Sequence, residues 1–99
     1  MPITKRQFEL GIDEDIQRRM RDIYTLLGNE RESAYSSEEL QGTFLGDAFD
    51  SDEKYNLDRA LEVLVEIGAV DKRLVAEIPY YAFHEKFDTA SWERDFIGI

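Results

Sequence analysis

The stretch that decides the fold runs Leu57-Asp58-Arg59-Ala60-Leu61-Glu62-Val63-Leu64-Val65-Glu66-Ile67-Gly68-Ala69-Val70-Asp71-Lys72-Arg73-Leu74-Val75 and, after Ala76-Glu77, Ile78-Pro79-Tyr80-Tyr81-Ala82-Phe83. Its hydrophobic period changes at Gly68. Before that residue Leu57, Leu61, Leu64 and Ile67, with Ala60, recur at helical spacing and predict an amphipathic helix with one buried stripe. Glycine at that point ends a helix, because it enters left-handed backbone without a side-chain clash. Beyond it, 69–75 and 78–83 are rich in β-branched and aromatic residues and read as two strands. Ala76-Glu77 between them implies a hairpin. It lacks the Gly or Asn that a two-residue primed turn favours, so the loop is expected to borrow a neighbour on each side. Pro79 has no N–H to give a ladder, which assigns that end of the strand to a sheet edge.

Upstream of this stretch the chain reads as helix, short strand, helix and connector. Ile16, Met20, Ile23 and Leu27 predict a helix over 13–27, with Tyr24 beside them. Asp13, Glu14 and Asp15 occupy its first turn, where the helix dipole favours anions. Glu14–Arg18 and Asp15–Arg19 have the spacing of i,i+4 pairs. Residues 4–10 suggest a shorter preceding helix carrying Phe8, jointed at Gly11. Ser36-Ser37-Glu38-Glu39 has the form of a capping box and opens a second helix with Leu40, Phe44 and Leu45 on its apolar face. Ala34-Tyr35 before it suggests a short strand. An acidic connector over 46–55 leads to the third helix, capped by Asn56 or, one turn earlier, by Ser51. Downstream, 89–97 predicts a terminal helix with Trp92 and Phe96 four residues apart.

This order, together with the helix–Gly68–Ala69–Val70 junction and the hairpin ending in Tyr80-Tyr81-Ala82-Phe83, resembles the winged helix-turn-helix superfamily of small prokaryotic transcriptional regulators over roughly residues 13–83. The resemblance implies an α+β fold, a winged helix with a three-helix core and a two-stranded wing, here followed by a C-terminal extension over 84–99 that carries the amphipathic terminal helix. The whole of 1–99 is then one domain. In such regulators the third helix enters the major groove and the wing touches phosphates, so the resemblance implies Lys54, Arg59, Lys72 and Arg73 as DNA contacts. It also permits a two-fold dimer built by terminal helices.

Charge argues for a different use of the same fold. The 99 residues carry Lys+Arg 12 against Asp+Glu 22, a net charge of −10. Nonspecific attraction to nucleic acid or anionic membrane needs the opposite sign. The exposed face of the third helix is expected to present Asp58, Arg59, Glu62, Val63 and Glu66, three carboxylates against one guanidinium. One carboxylate can accept from a cytosine amine, but three on one face repel phosphates. Lys72 and Arg73 in the wing are offset by Asp71 and Glu77. Arg18, Arg19 and Arg21 form the densest basic cluster, and the acids around them are expected to pair with it. The expected function is a non-catalytic regulatory module working through protein contacts, with a DNA-binding regulator acting as a dimer as the alternative.

Catalysis and cofactor binding find little to use. With no cysteine and a single histidine, thiolate nucleophiles, Cys-ligated zinc and two-histidine metal motifs have no residues to form them. The run from Asp50 to Glu62 imitates a calcium loop badly, with Lys54 at a ligand position and Tyr55 where the turn needs glycine. No catalytic residue, cofactor or metal is therefore expected. No apolar run reaches the ~18–20 residues of a membrane span, and the first residues lack a signal core, so the expected location is cytoplasmic. Aromatics offer the remaining candidates. Phe87, Trp92 and Phe96 crowd the last residues beyond what a small core is expected to absorb, which marks them, with Asp58, Glu62 and Glu66, as candidates for a protein interface, with a partner or with a second copy.

Overall fold

A computed structural model describes residues 5–46 and 50–97, without the side chains of residues 95 and 97. Residues 1–4, 47–49, 98 and 99, and with them part of the acidic connector and the start of the expected first helix, lie outside the described residues. The elements in chain order are α1 (Lys5–Leu10), α2 (Glu14–Asn29), β1 (Tyr35–Ser36), α3 (Ser37–Phe44), α4 (Ser51–Glu66), β2 (Val70–Val75), β3 (Ile78–Phe83) and α5 (Thr89–Trp92), which continues as a wider helical turn over Glu93–Ile97. Helices and a three-stranded antiparallel sheet of order β1-β3-β2 make the fold α+β.

Local chemistry sets the boundaries. Asp13 caps α2 by accepting from the Ile16 N–H at 2.9 Å. The capping box at α3 is complete: Ser36 Oγ accepts from the Glu39 N–H, and the Glu39 carboxylate accepts from the Ser36 N–H at 2.9 Å. The third of the expected helices, α4, is capped by neither Asn56 nor Ser51. Asp50 does this, accepting from the Asp52 and Glu53 N–H groups, because a carboxylate there meets both free amides and the positive end of the helix. At its other end Ala69 donates to the Leu64 carbonyl and Gly68 to that of Val65, with Gly68 at φ +85°. Those two bonds are a Schellman motif, and they turn the chain directly into β2.

The hairpin turn overturns one expectation. It does not borrow neighbours: Val75 pairs with Ile78, and Ala76 and Glu77 alone make the turn at φ +51° and +68°. Two left-handed non-glycine residues match the right-handed twist of the strands, at a conformational cost that Asn-Gly would avoid. Pro79 is a second correction. Its strand, β3, is central rather than an edge. The proline is tolerated because Leu74↔Pro79 is a pair that exchanges no ladder bonds, and β1 pairs only with Tyr80 and Tyr81.

The core lies between α2, α4 and the inner face of the sheet. Met20, Ile23 and Leu27 of α2 meet Leu57, Leu61 and Leu64 of α4, and Leu40 joins them in the same buried cluster. Phe44 and Ile67, expected to be buried, only pack against its margin. Val63, expected on the exposed face of the third helix, is fully buried. The expected Glu14–Arg18 and Asp15–Arg19 pairs are replaced by others. Arg18 reaches Asp15, while Arg19 joins Asp22 and, across to α4, Glu53 at 2.6 Å.

The C-terminal aromatics are the largest correction to the expected surface. Trp92 and Phe96 are 1% and 3% exposed, core residues with no face to offer a partner. Trp92 stacks on Tyr24 with ring centroids 4.1 Å apart, Phe96 lies against Trp92, and half-buried Phe87 meets Tyr24 and Phe83 edge-on. Gln17 Nε2 donates to the Phe96 carbonyl, tying the terminal turn to α2. The terminal segment thus joins the buried cluster, its aromatics packed against Tyr24 of α2 and Phe83 of β3.

Candidate functional site

Two surfaces remain once the core is assigned: the solvent side of α4 and the projecting half of the hairpin. Ser51–Glu66 is long enough for four turns, and the burial of Leu57, Ala60, Leu61, Val63 and Leu64 turns the opposite side outward. That side carries Tyr55, Asp58, Glu62 and Glu66, with Tyr55, Glu62 and Glu66 exposed and Asp58 half-buried. The charges of Asp58 and Glu62 add to the effect of burial in holding the Tyr81 phenol above its usual range. Burial is the largest of the three causes.

The four cations expected to meet DNA do not form one patch. Lys54 bridges to Asp58 at 3.5 Å. Arg59 donates to the Leu10 carbonyl at 3.1 Å and to Glu62 at 3.1 Å, so its guanidinium fastens α1 to α4. Lys72 and Arg73 are adjacent in β2 and therefore point to opposite faces of the sheet. Arg73 Nη1 turns back to the Lys72 carbonyl at 3.2 Å. Of the expected protein-interface residues, Asp58, Glu62 and Glu66 share the α4 surface, whereas Phe87, Trp92 and Phe96 stand apart from it in or against the core.

The hairpin has a buried base and an exposed tip. Val70, Tyr81 and Phe83 face the core, but beyond them the strands run past the end of the helical layer. Leu74 is 69% exposed, and Val75 and Ile78 are exposed beside it. Sequence reasoning missed this apolar tip. The signal was present, since Leu74, Val75 and Ile78 flank the turn, the part of the hairpin farthest from the Gly68 junction that ties it to α4. On the sheet's outer face a shallow groove of about 250 Å³ is lined by Ala34, Asp71, Arg73, Val75, Tyr80 and Ala82. His84, just past β3, places Nδ1 at 3.0 Å from Asp71 on this face.

Among the described residues no three His, Asp or Glu side chains converge as a metal site, and no helix is long and apolar enough to cross a membrane. Comparison with protein-family models, with curated proteins and with solved structures finds no match to this chain.

Proposed function

We propose that the chain is a winged-helix, non-catalytic regulatory module whose α4 and hairpin dock a protein partner with a basic contact surface. The order helix, strand, two helices, hairpin, with β1 completing the sheet beside β3, supports the winged-helix reading. The observation that carries the function is the state of α4. Its solvent side holds Asp58, Glu62 and Glu66, while the nearby cations Lys54 and Arg59 are engaged within the chain. Laid in a DNA groove, that face would set carboxylates against phosphates. Laid against a basic protein surface, it gains complementary charge, and exposed Tyr55 supplies an aromatic anchor.

The competing reading, a DNA-binding regulator, rests on the same order of elements and is decided by the same experiment. Labelled duplex is titrated at about 50 mM salt, where electrostatic binding is strongest. Affinity capture is run in parallel from nuclease-treated lysate, with wild type and with Asp58→Lys/Glu62→Lys/Glu66→Lys. Weak duplex binding that ignores changes at Arg59, Lys72 and Arg73, with nuclease-resistant capture lost in the triple variant, is the expected result. Sub-micromolar duplex binding that falls steeply with salt, and is lost on those changes, overturns it.

A further inference from the structure

We propose that the groove on the outer face of the sheet binds a small monocarboxylate with a single-ring apolar body, the body lying over Ala34 and Ala82 and the carboxylate meeting the Arg73 guanidinium. The site is on the side of the sheet turned away from the core, and it is independent of what α4 binds.

The groove follows from the alternation of the strands. Val70, Tyr81 and Phe83 project into the core, so Asp71, Arg73 and Val75 of β2 and Ile78, Tyr80 and Ala82 of β3 project outward. On that face the register sets Asp71 opposite Ala82 and Arg73 opposite Tyr80. Tyr35 pairs with Tyr81 on the other side of β3, which brings Ala34 beside Ala82. Two alanines side by side, bounded by the larger Asp71, Arg73, Val75 and Tyr80, leave a depression of about 250 Å³.

The two charges at this floor are in different states. Asp71 is already held, with His84 Nδ1 at 3.1 and 3.0 Å from its two carboxylate oxygens. Arg73, two residues along the same face, has no carboxylate among the described residues. Its Nη1 donates to the neighbouring Lys72 carbonyl at 3.2 Å, and Nε and Nη2 have no partner there. The chain has 22 acidic residues against 12 basic ones, and Arg6, Arg18, Arg19 and Arg59 each hold a carboxylate. Arg73 therefore offers the groove an unused planar fork, the geometry that binds a carboxylate through two parallel hydrogen bonds. The apolar floor supplies the rest of the contact. A volume just below the ~300–1,000 Å³ of sites for drug-sized ligands limits the body to about one ring. Asp71 beside the floor repels a second carboxylate, which restricts the ligand to one. The net charge of −10 acts on any anion, but at about 150 mM salt it is screened beyond about 8 Å, while contact with Arg73 is not.

The probe is 3-phenylpropionate, titrated into the full chain at about 150 mM salt and followed by backbone amide shifts. A Kd of about 1–5 mM is expected, the range open to a ligand of about a dozen non-hydrogen atoms. The shifts should be confined to Ala34, Asp71–Val75 and Tyr80–Ala82. The neutral 3-phenylpropanamide and the dianion phenylsuccinate are expected to bind about fivefold or more weakly. Arg73→Gln, a change at an exposed position, lowers the affinity for the acid to that for the amide and leaves the amide unaffected. Ala82→Leu fills the floor and removes binding of both, which separates the apolar contact from the charge. No shifts up to about 20 mM, shifts centred on other residues, equal binding of acid and amide, or indifference to Arg73→Gln overturns the proposal.

Discussion

The two halves of one hairpin differ more than any two separate elements of the molecule. At the base, Val70, Tyr81 and Phe83 close the core against α2 and α4. A few residues on, Leu74, Val75 and Ile78 stand in solvent around a turn of two left-handed non-glycine residues. Composition does not distinguish the halves, since both carry large apolar side chains. The distinction is where the helical layer ends. Apolar residues with a layer behind them contribute stability, and those beyond it are available to another molecule.

The sharpest way to break this comparison is to truncate a residue on each side of it. Trp92→Ala, which removes the ring stacked on Tyr24 beneath the hairpin base, is expected to cost about 3–5 kcal/mol, and Leu64→Ala in α4 about 2–5 kcal/mol. Leu74→Ala at the tip is expected to change stability by about 0.5 kcal/mol or less. Urea denaturation followed by far-ultraviolet dichroism compares all three. A Leu74→Ala cost equal to that of Leu64→Ala would mean the tip is covered within the chain and the two halves are alike. The Trp92 value carries one offset, since its buried Nε1 has no hydrogen-bond partner among the described residues and part of the ring's burial is spent on desolvation.

The helix–hairpin junction tests the step between the halves. Gly68 sits at φ +85° with open space where a Cβ would stand, so Gly68→Ala meets a backbone penalty and no clash. A loss of about 1 kcal/mol is expected, with the spectrum of the folded state unchanged. A neutral result would show that the chain leaves α4 by some other route.

How much of this was legible beforehand depends on the reach of the signal involved. Helical stripes are local, and Ile16, Met20, Ile23, Leu27, Leu57, Leu61 and Leu64 all went where spacing puts them. The capping box at Ser36–Glu39 was equally readable, being chemistry within four residues. What failed needed knowledge of neighbours. Val63 looks outward in a helical projection, yet α4 is covered on more than one side by α2 and the sheet. Trp92 and Phe96 exceed a three-helix core, but Tyr24 and the sheet's inner aromatics make room for them. Pro79 argues for an edge until β1 proves only two residues long. The α4 carboxylates of the candidate site were visible as charges. That Lys54 and Arg59 are engaged internally was not, because the Leu10 carbonyl lies 49 positions from its partner.

The turn gives a smaller and opposite effect. Replacing Ala76-Glu77 with Asn-Gly relieves two left-handed residues where the ladder already requires that backbone. A stabilisation of about 0.5–1 kcal/mol is expected, read as a higher urea midpoint at constant slope. Destabilisation would imply a wider turn that borrows a residue from each strand.

The finest comparison is between two phenols, one on each side of the sheet's inner aromatics. Tyr24 and Tyr81 both titrate above the usual phenol value near 10, and burial is the first cause in each. The further causes differ. Tyr81 is raised by Asp58 and then Glu62, while Tyr24 is lowered by Arg31 and raised by Glu93. A phenol whose folded pKa is raised holds its proton more tightly folded than unfolded. Its contribution to stability is therefore complete below about pH 10 and is lost as pH climbs through the folded pKa. Ultraviolet titration of the five tyrosines should show the late pair, and Tyr→Phe variants at 24 and 81 assign it. Asp58→Asn/Glu62→Gln should then move Tyr81 toward 10 without reaching it, because burial remains, and leave Tyr24 in place. If Tyr81 fails to move, the carboxylates of α4 face away from the hairpin, and the helix and the hairpin are two separate surfaces rather than one docking face.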